Sequence, residues 1–203
     1  MIYESIINRR TIRKFKQQTV PPELLRKCTD AARLSPSGSN HQDLKYLIIN
    51  DEKLLPQVFS TVHWAFYASG SRGPYTPPNP IPGYKHAPDE VPKAYIVILL
   101  DKTIRKQPRG LEEGIAAMSI SMVAYEEGVA SCIMRAVEWP RLREILKLPD
   151  HLQPLLVIAL GYPAEKSKAV ELIGENTKYW FDDEGVLNVP KRRFEDVVCW
   201  NTW

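Results

Sequence analysis

Hydrophobic residues recur at helical spacing in several segments of the chain, separated by polar stretches. In one of them, Leu24, Cys28 and Ala32 fall on the same side of a helix. Pro22 suits the first turn of that helix, and Glu23 suits the positive end of its dipole. The same pattern predicts helices at 2–7, 22–34, 51–58, 64–70, 111–128 and from Pro140 onward.

Four further segments are nearly continuous runs of aliphatic, aromatic and β-branched residues, which is the composition of strands buried on both faces. These runs predict strands at 44–50, 94–100, 130–134 and 155–160. Alternating helices and strands favour a single domain of the α+β or α/β class that covers residues 1–203. Periodicity alone leaves the order of the strands open.

Prolines are concentrated in one segment between the first two strands: Pro74, Pro77, Pro78, Pro80, Pro82, Pro88 and Pro92. Because proline has a fixed φ and no backbone N–H, this density excludes a regular helix or central strand. We predict a long loop at 71–92, of the kind that forms a lid or binding loop or is disordered. Its side chains that could contact a ligand are Tyr75, Tyr84, Lys85 and His86.

Two apolar stretches suggest contact with a second chain. We predict that the region after the last strand is largely irregular, and that residues 164–203 form a C-terminal arm. This arm ends in the apolar side chains Val197, Val198, Trp200 and Trp203, which should pack on another surface. The helix at 111–128 has little polar surface around residues 115–118, so it should be buried, either inside the protein or between subunits.

A basic cluster follows the first predicted helix. Four cations and a hydroxyl occur within six positions: Arg9, Arg10, Thr11, Arg13 and Lys14. Guanidinium groups bind phosphate oxygens in pairs, and a threonine hydroxyl adds a neutral donor. The cluster is therefore either an anion-binding cradle or a solvated basic turn. A second basic cluster at 191–193 favours the cradle.

Four motifs follow one another along nearly the whole chain. They are Arg9-Arg10-Thr11-Ile12-Arg13, Pro36-Ser37-Gly38-Ser39-Asn40-His41-Gln42, Gly161-Tyr162-Pro163 and Lys191-Arg192-Arg193. None of them is specific alone. In this order they resemble the nitroreductase family of flavin-dependent oxidoreductases.

The resemblance implies a fold, an assembly and a cofactor. The fold would be a three-layer α+β fold, with a central, mostly antiparallel sheet flanked by helices. Two chains would form an intertwined homodimer with the flavin site at the subunit interface. The cofactor would be FMN, with NADH or NADPH as a transient reductant.

The resemblance also implies which residues contact FMN. The phosphate and ribityl chain would be bound by Arg9, Arg10, Thr11, Arg13, Lys191 and Arg193. The flavin ring would lie against the loop residues Pro36, Ser37, Gly38, Ser39, Asn40 and Gln42. Strand residues beside the ring would be Ile133, Met134 and Arg135. Lys14 and Arg192 would remain in solvent.

Simpler interpretations of some of these residues stay open. Asn40 and Gln42 also fit ordinary loop capping. Arg135 either lies near the pyrimidine edge of the flavin, where its charge would stabilise the anionic reduced form, or is a surface arginine. Cys132 is typical of a small buried residue.

Composition excludes several other classes of protein. A net charge of +3 without an aromatic-interleaved basic stripe gives little support for nucleic-acid binding. Cys28, Cys132 and Cys199 are odd in number and widely spaced, which argues against a disulfide framework, and the histidines lack metal-ligand spacing. No run approaches about 18 apolar residues, and no signal peptide is evident, so we expect a cytoplasmic protein without a membrane partner.

The resemblance to the nitroreductase family implies an FMN-dependent oxidoreductase. It would pass a hydride from NAD(P)H through the flavin to a small acceptor, such as a nitroaromatic or a quinone, in a ping-pong reaction. No catalytic side chain is predicted, because the flavin carries the chemistry. A flat acceptor would stack on Trp64, Tyr67 and Tyr84. The alternatives are the dehalogenase or flavin-cleaving branch of the superfamily, and a non-catalytic flavin-binding or sensory protein.

Overall fold

A computed structural model describes residues 1–64 and 87–203 of the chain. These residues fall into two compact units. The first unit contains residues 1–64 and 87–164, and the second contains residues 165–203. The prediction of one domain over the whole chain stays a prediction.

The first unit is built on a four-stranded sheet. Its strands are β1 (Leu44–Ile49), β2 (Ala94–Asp101), β3 (Ala130–Met134) and β4 (Leu152–Gly161), in the order β1-β2-β4-β3. Every neighbouring pair is antiparallel. All eight residues of β2 are buried, which explains why its sequence is a continuous apolar run rather than an alternating one. The predicted positions of all four strands are confirmed.

Helices cover both faces of this sheet. They are α1 (Ile2–Asn8), α2 (Pro22–Arg33), α3 (Leu55–Phe59), α4 (Glu112–Glu126) and α5 (Trp139–Ile145). Helix α3 is shorter than the predicted helix at 51–58. The carboxylate of Asp51 accepts the backbone N–H groups of Lys53 and Leu54, which forms a turn before the helix begins.

Alternate residues of β2 enter two different hydrophobic cores. Tyr95 and Val97 pack in one core with residues of α3 and α5, and Ile96 and Ile98 pack in the other with residues of α2 and α4. The sheet is therefore the middle of three layers. This arrangement confirms the predicted α+β class with an antiparallel sheet flanked by helices.

The second unit is a small three-stranded sheet. It contains β5 (Lys166–Glu171), β6 (Trp180–Phe181) and β7 (Val186–Lys191), in the order β5-β7-β6. Strand β7 is parallel to β5 and antiparallel to β6. Leu187 and Asn188 of β7 are buried.

The prediction of a largely irregular C-terminal region was wrong, because this region contains three strands. Strand β5 is exposed or half-buried at every position, so its sequence carries no apolar run. In β7, Asn188 and Pro190 are residues that disfavour a central strand.

The apolar tail and the helix expected at 64–70 have different outcomes. Trp200 and Trp203 are 79% and 94% exposed in the single chain, so the surface expected to cover them stays a prediction. Trp64 itself is not helical, and the rest of that predicted helix lies outside the described residues.

Candidate functional site

The basic cluster lies on an extended segment that runs beside β3. Thr11 forms a parallel bridge with Ser131, and the backbone N–H of Ile12 donates to the Ser131 carbonyl over 3.1 Å. Phe15 forms an antiparallel bridge with Pro163. Because the side chains of Ile12 and Phe15 are buried, they hold the basic segment at this edge of the sheet.

Arg9 and Arg10 are partly buried without a compensating negative charge. The Nε atoms of both residues are enclosed and have no hydrogen-bond partner in the structure. Arg10 donates from Nη2 to the carbonyl of Ile7 over 2.5 Å. No carboxylate of the described residues lies within 4.0 Å of either guanidinium group.

The pKa values of the two arginines also indicate partial burial without a compensating negative charge. Burial lowers the pKa of Arg9, and the like charge of Arg10 lowers it further. Burial also lowers the pKa of Arg10. The hydroxyl of Ser131 is another buried group without a hydrogen-bond partner beside this segment. Two partly buried cations with unused donors are an arrangement that can accept an external anion.

Lys14 does not remain in solvent, and that prediction was wrong. Its ammonium group lies 2.8 Å from a carboxylate oxygen of Glu90, and the side chain is 30% exposed. The carbonyl of Glu90 also accepts the backbone N–H of Phe15 over 3.0 Å. This lysine therefore ties the basic segment to the residues just before β2, whereas Arg13 beside it is half-buried.

The predicted flavin loop is held in a strained conformation. Ser39, Asn40 and Gln42 all have positive φ angles, of 54°, 53° and 52°. Side chains other than glycine rarely adopt this region, and such residues cluster at functional sites. The Ser37 hydroxyl accepts the backbone N–H of Gln42 over 3.0 Å and closes the loop. Pro36 is exposed at its start.

Gly38 is the point at which this loop contacts α4. Its backbone N–H donates to Oε1 of Glu112 over 3.2 Å. A Cβ atom at Gly38 would lie 2.1 Å from Nη1 of Arg109, so a larger residue would force the arginine away. The sequence prediction missed Glu112, which is 5% exposed in the first turn of α4.

A second missed carboxylate lies beside Glu112. Glu113 is 3% exposed, and in the part of the chain that the structure describes its Oε1 atom has no hydrogen-bond partner. Nη2 of Arg135 lies 4.0 Å from that oxygen, at the end of β3. The only sequence signal for this pair is two acidic residues at the start of a helix, which usually serve the helix dipole.

The three predicted strand residues differ in exposure. Arg135 is 68% exposed, Ile133 is 39% exposed and Met134 is buried. Their contacts with the flavin stay predictions. Cys132 is buried, as expected for a small hydrophobic residue.

Within one chain, the loop and the basic cluster lie at opposite ends of α4. The loop contacts Glu112 in the first turn, whereas Arg10 lies near Tyr125 in the last turn. Ser5 of α1 also donates to Glu126 at that last turn. A helix of 15 residues is about 22 Å long. A single chain therefore does not bring these two parts of the predicted site together.

The second basic cluster belongs to the second unit. Arg193 donates from Nε and Nη2 to the carboxylate of Asp196 over 3.1 Å and 2.9 Å. Lys191, at the end of β7, and Arg192 are exposed. The prediction that Lys191 and Arg193 bind the same phosphate as Arg9 stays a prediction.

The predicted acceptor contacts are only partly described. Trp64 is half-buried against the core of the first unit, with its ring centroid 5.7 Å from that of Phe59. Tyr67 and Tyr84 lie outside the described residues. Among the residues that are described, no group of three or more His, Cys, Asp or Glu side chains could hold a metal ion. In the same part of the chain, no helix combines the length and apolar character needed to cross a membrane.

Comparisons with known proteins match this architecture. The model of the Nitroreductase family matches residues 6–162. A Methanothermobacter thermautotrophicus protein, provisionally named NADH dehydrogenase/NAD(P)H nitroreductase, is 27% identical over 81% of this chain and 78% of its own length. The iodotyrosine deiodinase of Haliscomenobacter hydrossis is 21% identical over 84% of this chain and 82% of its own length.

A solved structure gives the same result for the fold. The FMN-dependent nitroreductase of Clostridium difficile superposes with a TM-score of 0.65 and 21% identity, covering 99% of each chain. At this identity the likeness concerns the fold alone. Because the family model covers most of the sequence, the chain belongs to the nitroreductase family.

Proposed function

We propose that the protein is an FMN-dependent oxidoreductase that uses NAD(P)H to reduce a small acceptor, such as a nitroaromatic or a quinone. Membership of the nitroreductase family supports an oxidoreductase. The fold shared with a protein named as an FMN-dependent nitroreductase supports FMN as the cofactor. The reaction would be ping-pong, with donor and acceptor bound in turn.

One observation carries this proposal: Arg9 and Arg10 are desolvated cations without a carboxylate among the described residues. A buried cation without a counter-charge is costly unless a ligand supplies one. The dianionic phosphate of FMN fits these donors in charge and in hydrogen-bonding capacity. Thr11 and Arg13, on the same segment, would bind the phosphate and ribityl chain with them.

The remaining predicted contacts belong to this proposal. The ring would be held by the loop residues Pro36, Ser37, Gly38, Ser39, Asn40 and Gln42 and by Ile133, Met134 and Arg135. Lys191 and Arg193 would add positive charge at the phosphate end. For Arg193 this requires the guanidinium group to exchange Asp196 for phosphate or to bind both.

The position of the loop supports a site shared between two chains. The loop contacts Glu112 and Arg10 lies near Tyr125, and these two positions of α4 are about 20 Å apart along the helix axis. One FMN molecule would therefore take its phosphate contacts from one chain and its loop contacts from a second copy. The proposed assembly is a homodimer.

FMN, when bound, would supply hydride transfer between donor and acceptor. Overall, NAD(P)H loses a hydride and becomes NAD(P)⁺. A nitro group that gains this hydride and a solvent proton loses water and becomes a nitroso group. The side chains bind and orient the reactants, and none is assigned as a catalytic acid or base.

The first test is the visible absorption spectrum of the purified protein, with FMN added if the protein is colourless. We expect a bound-flavin spectrum and release of FMN on denaturation. Arg9→Met should weaken FMN binding at least about tenfold, because it removes a buried charge partner of the phosphate. Arg26→Met, at an exposed site on α2, is the matched control. A wild-type chain that binds no FMN would contradict the proposal.

Two alternatives can be separated by turnover. Similarity to a deiodinase favours the dehalogenase branch as a second candidate. It predicts release of halide from a halogenated aromatic substrate in preference to nitro reduction. A non-catalytic flavin protein predicts FMN that does not reoxidise with a small acceptor over repeated cycles.

A further inference from the structure

An open groove lies at one end of the central sheet. Strands β2 and β3 flank β4 and are antiparallel to it, so both of them end at the edge where β4 begins. Strand β3 stops opposite Val157, whereas β2 continues to a position opposite Leu152. The first half of β4 therefore has no β3 partner, and a cavity of about 580 Å³ forms beside it.

Positive charge dominates the walls of this groove. Lys102 follows β2, Arg135 follows β3, and Arg143 projects from α5. The one carboxylate in the lining is Asp150, which is fully exposed and lies 3.6 Å from Arg143.

The cations differ in how far the protein already uses them. Arg143 donates to the carbonyl of Pro149 over 3.2 Å and to that of Leu152, so its charge is largely engaged. No carboxylate of the described residues lies within 4.0 Å of the Lys102 ammonium group. Among the described residues, Glu113 is the one carboxylate near Arg135, at 4.0 Å. Lys102 and Arg135 are therefore available to a ligand.

Apart from the amide of Gln153, the remaining lining is apolar and includes a flat ring. Trp139 is half-buried at the start of α5, and Pro108, Pro154 and Leu155 complete the surface. An apolar surface with an indole ring suits an aromatic ligand, and polar groups at the rim of such a pocket fix its orientation. With cations on the walls, the best-matched ligand is a flat aromatic acid.

We propose that this groove binds aromatic carboxylic acids and that such acids are the preferred class of acceptor. The second part rests on the proposed function, because Arg135 both lines the groove and is a proposed contact of the flavin ring. Lys102, by contrast, belongs to the groove alone. It is the residue that separates charge recognition in the groove from cofactor binding.

The test compares 4-nitrobenzoate with 4-nitrobenzamide, which has nearly the same shape but no charge. Calorimetry measures binding of each compound to the protein as purified, and steady-state kinetics measures kcat/KM for their reduction by NAD(P)H. We expect the acid to be favoured in both measurements. Lys102→Gln should weaken binding of the acid and lower its kcat/KM by on the order of fivefold. Both quantities should stay unchanged for the amide. Lys106→Gln, at an exposed position outside the groove, should change neither.

Salt gives a second, independent measurement. Raising sodium chloride from about 20 mM to about 500 mM should reduce the preference for the acid in the wild-type protein, because exposed charges are screened. In the Lys102→Gln protein, the same increase in salt should reduce the remaining preference for the acid over the amide by a smaller factor. Equal effects in the two proteins would overturn the role of Lys102.

The outcomes separate this inference from the proposed function. Equal binding of acid and amide, or equal loss of both on Lys102→Gln, would overturn the groove as an acid site. Selective binding without selective reduction, while the amide turns over, would overturn the acceptor assignment. A protein that binds the acid selectively through Lys102 but holds no flavin and reduces nothing would contradict the proposed function and leave the groove as an acid-binding site.

Discussion

Two regions of the first unit bury arginine side chains, and they do so in opposite ways. Arg105 donates to the carboxylate of Asp43, and the two side chains are only 15% and 3% exposed. Arg9 and Arg10 are also desolvated, but no described carboxylate faces them. The charge of Arg105 is compensated by a described carboxylate, and the charges of Arg9 and Arg10 are not.

The contrast distinguishes a structural arginine from the two arginines that we propose bind FMN. The pair of Arg105 and Asp43 joins the residue before β1 to the turn after β2, and Asp43 also accepts the backbone N–H of Asp101 over 2.8 Å. This pair therefore fixes the edge of the sheet. We expect the arginines beside β3 to contribute less to the stability of the fold than to binding of an anion.

The largest expected effect is the loss of the buried ion pair. Arg105→Met should lower the free energy of unfolding by about 3–5 kcal/mol, because it leaves the charge of Asp43 buried and unpaired. Chemical denaturation measures this change. Arg33→Met removes an exposed partner of Asp30 and should cost less than about 1 kcal/mol. Similar losses in the two variants would contradict the structural role of Arg105.

Arg9, in contrast to Arg105, is expected to contribute to the stability of the FMN complex and little to that of the flavin-free protein. At 100 times its dissociation constant, FMN should stabilise the wild-type protein by about 2.7 kcal/mol. Arg9→Met should lose most of this gain at the same FMN concentration. Without FMN, the two proteins should differ by less than about 1 kcal/mol, because the arginine has no internal partner. A large loss of stability in the flavin-free variant would instead make Arg9 a structural residue.

A third unpartnered polar group tests whether access to solvent matters. The hydroxyl of Tyr95 is completely buried in the core and has no hydrogen-bond partner among the described residues, and burial strongly raises its pKa. Because no ligand can reach it, we expect no function to be lost on removing it. Tyr95→Phe should raise the free energy of unfolding by about 1 kcal/mol and leave FMN binding unchanged. Reduced stability would show that the hydroxyl is in fact hydrogen-bonded.

The strands show where sequence reasoning succeeds. The residues of β2 and β4 are almost all buried, so each strand appears in the sequence as an apolar run. Strand β5 was missed because it is exposed or half-buried at every position, and β7 was missed because Asn188 and Pro190 interrupt its apolar residues.

The site shows where sequence reasoning stops. The spacing of the basic residues in the sequence predicts the basic cluster. It does not predict that Lys14 has a carboxylate partner whereas Arg9 has none among the described residues. Lys14 is paired with Glu90, which is 76 positions away, and only the fold brings them together. Glu112 accepts the backbone N–H of Gly38, which is 74 positions away in the sequence, and again only the fold brings the two residues together.

The smallest expected effect is a pH dependence of stability in the second unit. The charge of Asp182, like that of Asp43, has compensating partners, but the side chain of Asp182 is partly exposed to solvent. Asp182 accepts hydrogen bonds from Asn188, from the backbone of Val186 and from Lys168, and these lower its pKa to about 2.

Because the unfolded chain has an Asp pKa of about 4, Asp182 stabilises the folded state above that pH. The contribution is lost as the pH falls from about 4 to about 2. Asp182→Asn should therefore be less stable than the wild type at pH 6, and the difference should shrink across this window. Asp183→Asn, at the exposed neighbouring position, is the matched control and should follow the wild type. A difference that stays constant from pH 6 to about 2 would show that the Asp182 charge contributes nothing.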